Sequence, residues 1–242
     1  TLRIDLLQPR GDTATKRPAI VFAHGGAFMF GSKGTLDPAT EMAKHYAQLG
    51  YVTVDINYRH LVPLGQVCTG VIKGVGCRDA AIGASFDGMA AVRWLRANAA
   101  KYRIDPDRIA FGGDSAGAVM ATTVGTMGEM SLEQQPAKIA NMSNPGYSSK
   151  IQAYMSLSGG VDETTYMTSG DAPGIFFHGT SDSIVPYRFS TITVNGLKAV
   201  GVDAKLVTYQ GANHIPWQYK NDILAQTTDW FYTHLNLANA AS

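Results

Sequence analysis

The strongest constraint on this chain is its regular alternation of short apolar runs with longer stretches of helical periodicity. Six runs read as buried strands: Pro18–Ala23, Tyr51–Ile56, Arg108–Phe111, Ile151–Leu157, Gly174–Phe177 and Ala204–Tyr209. A near-continuous apolar strand is one covered on both faces, and such strands separated by helices form a parallel sheet between helical layers. Leu2–Leu7 alternates in character and suits an edge strand. Helices are expected over 38–49, 81–102, 115–127, 187–200 and 218–235. The first has Asp37 as its cap and Pro38 at its first position. The second places Phe86, Met89, Ala90, Arg93, Trp94 and Ala97 at three-to-four spacing. Asp105-Pro106-Asp107 reads as a turn, and residues 128–150 as a loop or small cap. With no repeat and no linker, the 242 residues are expected to form one α/β domain over 1–242.

Charge and composition narrow the partners. The net charge is +1, and Lys and Arg are scattered. Nucleic acid and anionic membranes both call for a concentrated basic surface, so neither is expected as a partner. No apolar run is long enough to span a bilayer. Nothing in the sequence speaks to oligomeric state. The chain starts at Thr1, which reads as a processed or trimmed end with any export signal already removed.

Cys68 and Cys77 bracket a glycine-containing stretch that can close on itself. A disulfide there would stabilise the fold by about 2–3 kcal/mol through loop entropy. It would also place the protein in an oxidising compartment, secreted or periplasmic. Two unpaired cysteines are the alternative. A structural zinc is not expected, because no third or fourth ligand lies nearby.

The chemistry centres on Gly113-Asp114-Ser115-Ala116-Gly117. A serine between two glycines is weak evidence alone. Here it follows the strand ending at Phe111 and precedes a helix, an arrangement that exposes a nucleophilic hydroxyl on a strained turn. Such a serine needs a base within hydrogen-bond reach. His214, just past the last strand, is the candidate, and Asp182, past the Gly174–Phe177 strand, is the acid that would orient it. Asp162 is the runner-up acid. His24-Gly25-Gly26-Ala27 closes the first buried strand, so the N–H groups of Gly26, Ala27 and Ala116 are the predicted oxyanion hole. His24 is read as a brace for this loop, and His178 as a core or supporting residue. Phe28, Met29 and Phe30 follow the loop, and both pocket lining and core packing account for them.

These motifs resemble those of hormone-sensitive-lipase-like and carboxylesterase-type α/β hydrolases. The resemblance rests on residues 24–32, Asp55–Arg59, Ala91–Leu95, Ile104–Ile109 and Gly113–Gly117, with His178–Pro186 and Asn213-His214 extending it. It implies an α/β-hydrolase fold with a mostly parallel central sheet and helices on both faces. It also implies hydrolysis of short-chain or aromatic carboxylic esters, free or polymer-linked, without metal or organic cofactor. Feruloyl- and acetyl-type polysaccharide esterases fall within it. Three departures stand out: Ala27 in place of a third glycine, no N-terminal cap region, and the Cys68–Cys77 loop. They imply an open site with little or no cap domain. A peptidase or acyltransferase with the same triad, and a non-catalytic binding protein on the same fold, are the competing readings.

Overall fold

The computed structural model describes residues 2–11, 13–35, 37–62, 75–128, 130 and 134–239. Seven strands form one sheet: β1 (Ile4–Leu7), β2 (Arg17–Ala23), β3 (Val52–Ile56), β4 (Ile104–Asp114), β5 (Ala153–Leu157), β6 (Gly174–Gly179) and β7 (Ala204–Tyr209). Their order across the sheet is β1-β3-β2-β4-β5-β6-β7. Edge strand β1 runs antiparallel to β3, and the other neighbouring pairs are parallel. All seven expected strands are present.

The helices are α1 (Pro38–Gln48), α2 (Val75–Ala97), α3 (Ala99–Tyr102), α4 (Ala116–Met127), α5 (Arg188–Ala199) and α6 (Lys220–His234). Alternation along β2 shows why both faces are covered. Ala19, Val21 and Ala23 point into a core shared with α2, α4 and α5. Ile20 and Phe22 point into a second core, closed by Met42 and Tyr46 of α1 and Ile223 and Phe231 of α6. The apolar runs therefore lie between two helical layers, as a parallel sheet requires. Asp37 caps α1 by accepting from the Thr40 N–H at 2.8 Å.

Two expectations need correction. The helix expected from residue 81 begins at Val75, and a short break at Asn98 separates α2 from α3. The turn expected at Asp105-Pro106-Asp107 lies within β4. Between the pairs Arg17–Ile104 and Ala19–Ile109, β4 advances five residues while β2 advances two. That is a bulge, with the Asp107 N–H held by the Asp105 carboxylate at 3.0 Å. Of the two readings of 128–150, loop or small cap, the described part is a loop. Arginine side chains pin it: Arg93 donates to the carbonyls of Asn141 and Ser143, Arg96 to that of Ser148 and Arg59 to that of Ile139.

The functional edge of the sheet depends on one close approach. Helix α4 follows β4 after the single residue Ser115, and its first turn presses on β2. A Cβ at Gly117 would stand 1.9 Å from the Ala23 carbonyl oxygen. Only a glycine lets helix and strand meet at this spacing. Gly117→Ala is expected to destabilise the protein by about 3 kcal/mol or more, the upper range for overpacking, read as a lowered urea midpoint at unchanged slope.

Candidate active site

The carboxyl ends of adjacent parallel strands lie on one edge of the sheet, and four loops leave it carrying the residues singled out in the sequence. His24–Ala27 follow β2, Ser115 follows β4, Asp182 follows β6 and His214 follows β7.

Ser115 sits at φ 52° and ψ −115°. A non-glycine residue in such a conformation costs about 1–3 kcal/mol and persists only where its surroundings enforce it. Here its N–H donates to the Leu157 carbonyl at 2.8 Å, and its own carbonyl receives the Val119 N–H at 3.1 Å. The turn is thereby fixed to β5 on one side and to α4 on the other.

His214 Nε2 lies 2.9 Å from Ser115 Oγ, and its Nδ1 lies 2.8 Å from Asp182 Oδ2. The structure therefore brings Ser115, His214 and Asp182 into one hydrogen-bonded chain. Asp162, the runner-up acid, is exposed on the β5–β6 connection and takes no part in it. With Nδ1 donating to a carboxylate, the neutral His214 ring presents a bare Nε2 to the serine hydroxyl.

Asp182 has no exposed side-chain surface. Burial acts to raise its carboxyl, but hydrogen bonds from His178, His214 and the N–H groups of Ile184 and Val185 outweigh it. The net effect holds the carboxylate well below its usual range, ionised at any pH where the protein would work.

A residue not singled out as functional ties the acid loop to the base loop. Asn213 Oδ1 accepts from the Ser183 N–H at 3.1 Å and from the His214 N–H at 2.7 Å. Ile215 is held at φ 52°, an outlier for a β-branched residue, with its N–H donating to Ser158 Oγ at 3.0 Å. The Asn213-His214 pair was visible in the sequence, but its cross-loop partner Ser183 was not.

The predicted oxyanion loop turns sharply at Gly26, φ 121°, where a Cβ would stand 2.0 Å from the Phe30 carbonyl oxygen. Ala27 and Phe28 follow with φ of 52° and 61°. Among the described residues the N–H groups of Gly26 and Ala27 donate to no backbone carbonyl. That of Ala116 is one of the unpaired N–H groups that open a helix. His24 is buried as a brace. Its ring stacks on Tyr58 at 4.5 Å, and the Tyr58 hydroxyl donates to the carbonyls of His24 and Gly25 at 2.9 and 3.1 Å. Phe28 belongs to the core, whereas Phe30 is 64% exposed and Met29 37%.

A groove of about 470 Å³ runs along α4 from Val119, one turn beyond Ser115. Ala81, Ile82, Thr123 and Tyr166 line its apolar part, and Arg78 lies among its charged residues. Cys77 is buried on α2, and Cys68 lies outside the described residues. Among the described residues no three His, Cys, Asp or Glu side chains are grouped to hold a metal ion, and no helix is long and apolar enough to cross a membrane.

The model of the carboxylesterase family matches residues 1–143, more than half of the chain, and the chain belongs to that family. The prolyl oligopeptidase family model matches residues 129–238. Among curated relatives, a probable isoprenylcysteine alpha-carbonyl methylesterase, ICMEL1, of Arabidopsis thaliana is 27% identical, with 88% of this chain and 48% of the relative aligned. Carboxylesterase NlhH of Mycobacterium tuberculosis is 33% identical over 56% of this chain and 40% of its own. The chain spans about half the length of the curated relatives it matches. Among solved structures, the butyrate-bound thermophilic esterase Est2 of Thermogutta terrifontis superposes with a TM-score of 0.74 at 21% identity, covering 96% of this chain and 88% of that one. The fold is that of the α/β hydrolases.

Asp114, beside the serine, generates a stability prediction. Burial, and then the charge of Asp37, push its carboxyl up to about 8, partly offset by N–H groups of Ala39 and Gly25. Folded Asp114 thus keeps a proton that the unfolded chain releases near pH 4. Its contribution is greatest below that pH and is lost as pH rises to about 8, at up to about 1.4 kcal/mol per pH unit. Asp114→Asn, which cannot ionise, is expected to flatten the fall in unfolding free energy between about pH 5 and 8, measured by urea titration across that range.

Proposed function

We propose that this chain is a serine carboxylesterase hydrolysing short-chain or aromatic carboxylic esters, free or polymer-linked. The observation that carries the reading is the continuous Asp182–His214–Ser115 hydrogen-bonded chain at the carboxyl ends of β6, β7 and β4. Ser115 Oγ attacks the ester carbonyl carbon while His214 Nε2 takes its proton. The carbonyl oxygen becomes an oxyanion, met by the N–H groups of Gly26, Ala27 and Ala116. When the intermediate collapses, the C–O bond to the alcohol breaks and His214 returns the proton to the leaving oxygen. Water then attacks the acyl-serine by the same route, releasing the acid and restoring Ser115. Asp182 stabilises the imidazolium formed at each step.

Two features support an apolar or aromatic acyl group: the exposed Phe30 and Met29 beside the oxyanion loop, and the α4 groove beyond Ser115. The connection between β5 and β6, residues 158–173, holds no helix or strand, which favours an open site and polymer-linked esters such as feruloyl or acetyl groups on polysaccharides. The curated relatives named as a methylesterase and a carboxylesterase support ester hydrolysis as such. Amide hydrolysis is the second reading, favoured by the prolyl oligopeptidase match over residues 129–238.

On p-nitrophenyl esters, Ser115→Ala is expected to lower kcat by at least about 10⁴-fold and Asp182→Asn by about 10⁴-fold. A p-nitroanilide of the same acyl group should be turned over far more slowly than the ester. Wild-type rates from Ser115→Ala would contradict the assignment, and equal or faster anilide cleavage would favour the peptidase reading.

The Cys68–Cys77 disulfide, and with it a secreted or periplasmic setting, belongs to the same proposal. It is supported by the finding that no cysteine among the described residues is free. Peptide mapping without reductant should show the two cysteine peptides linked, and separated after reduction. Two alkylatable thiols in the unreduced protein would contradict it.

A further inference from the structure

His178 is the penultimate residue of β6 and is fully buried, yet it is no ordinary core residue. Its Nε2 lies 3.0 Å from Asp182 Oδ2 and 3.0 Å from the Val185 carbonyl oxygen. Both are acceptors, so Nε2 must carry the ring proton facing them. Asp182 Oδ2 is also the oxygen that receives His214 Nδ1. Two imidazoles therefore share one carboxylate oxygen, while Oδ1 takes the N–H groups of Ile184 and Val185 at 2.9 and 2.8 Å. Four donors occupy the four acceptor positions of the carboxylate.

On its far side His178 is held just as closely. Its Nδ1 lies 2.7 Å from Ser190 Oγ, and that hydroxyl lies 2.6 Å from the Gly159 carbonyl oxygen. The Tyr187 ring stands edge-on at 5.7 Å. One polar chain thus runs from Gly159 through Ser190, His178 and Asp182 to His214 and Ser115. It links the loop after β5, helix α5 and the loops after β6 and β7. The side chains of Ser190, His178 and Asp182 are buried, where an unmade hydrogen bond is costly and a made one directional.

We infer that His178 is a positioning residue of this site: its N–H aims Asp182 Oδ2 at His214 and, by drawing on the same oxygen, lowers the proton affinity that Asp182 confers on His214. The inference rests on the hydrolase reading above. The groups facing the two rings are Asp182, Tyr187 and Ser190 around His178, and Asp182 and Ser115 around His214. Without the His178 N–H, the carboxylate is both less fixed and a stronger acceptor. Turnover should then fall while the acidic limb of activity, set by protonation of His214, moves to higher pH.

The test compares wild type, His178→Leu and His178→Gln on a p-nitrophenyl ester, with rates normalised to active sites counted from the p-nitrophenol burst. Leucine removes the donor; glutamine can place an amide N–H near the Nε2 position. His178→Leu is expected to lower kcat per site about 10–100-fold, the range for groups that orient a reacting centre from behind, with KM within about threefold. The acidic limb of its kcat/KM should rise by about half a pH unit or more, and His178→Gln should recover much of both. Should the leucine variant not accumulate, His178→Asn replaces it, keeping a polar group toward Ser190 and withdrawing one from Asp182. Unchanged kcat and limb in the donor-free variant, or equal losses in both variants with an unmoved limb, would overturn the inference. A wild type with neither burst nor turnover would overturn the hydrolase reading itself, and this inference with it.

Discussion

A carboxylate withdrawn from water must be met by donors or take up a proton, and Asp182 is met on every side. Two imidazoles and two backbone N–H groups close around it, so its charge survives burial. That retained charge sets the tautomer of His214, which in turn presents a bare Nε2 to Ser115. The donors come from separate pieces of chain, so the same carboxylate fastens the loop after β7 to the end of β6. Asn213 adds a neutral tie between these two loops. Mutual orientation of Asp182 and His214 is thereby set by hydrogen bonds that converge on one buried carboxylate and on the Asn213 amide.

Positive φ at non-glycine residues gathers at the site, although Arg103, Asn144 and Asn236 show it elsewhere. Ser115, Ala27, Phe28 and Ile215 all have positive φ, and all lie on the loops that meet at the site. Close packing holds them there. The first turn of α4 rests on β2 through Gly117, the Ser115 N–H is fixed to β5, and Tyr58 clamps the carbonyls of His24 and Gly25. The two cores on either side of the sheet supply the stability that such local conformations draw on.

Much of this was legible in the residues alone, for a physical reason. Strands buried on both faces read as apolar runs, and a parallel sheet delivers their ends to one edge. Motifs following Ala23, Asp114, Gly179 and Tyr209 were therefore bound to meet. What stayed hidden depends on contacts between distant segments. The bulge in β4 passed for a turn because Asp105-Pro106-Asp107 has turn chemistry wherever it lies. Nothing local separates Phe28, which enters the core, from Phe30, which faces solvent. His178 was visible as a strand-terminal histidine, but its shared hold on Asp182 exists only once β6 and the loop after β7 are adjacent.

The central claim is that Ser115, activated by His214 and Asp182, is the nucleophile. The most direct measurement is to treat the wild type with a fluorophosphonate and map the adduct by intact mass and peptide mass spectrometry. A single stoichiometric adduct on the peptide containing Ser115, formed far more slowly in His214→Ala, is the predicted result. An unmodified protein, or an adduct on any other residue, would contradict the account.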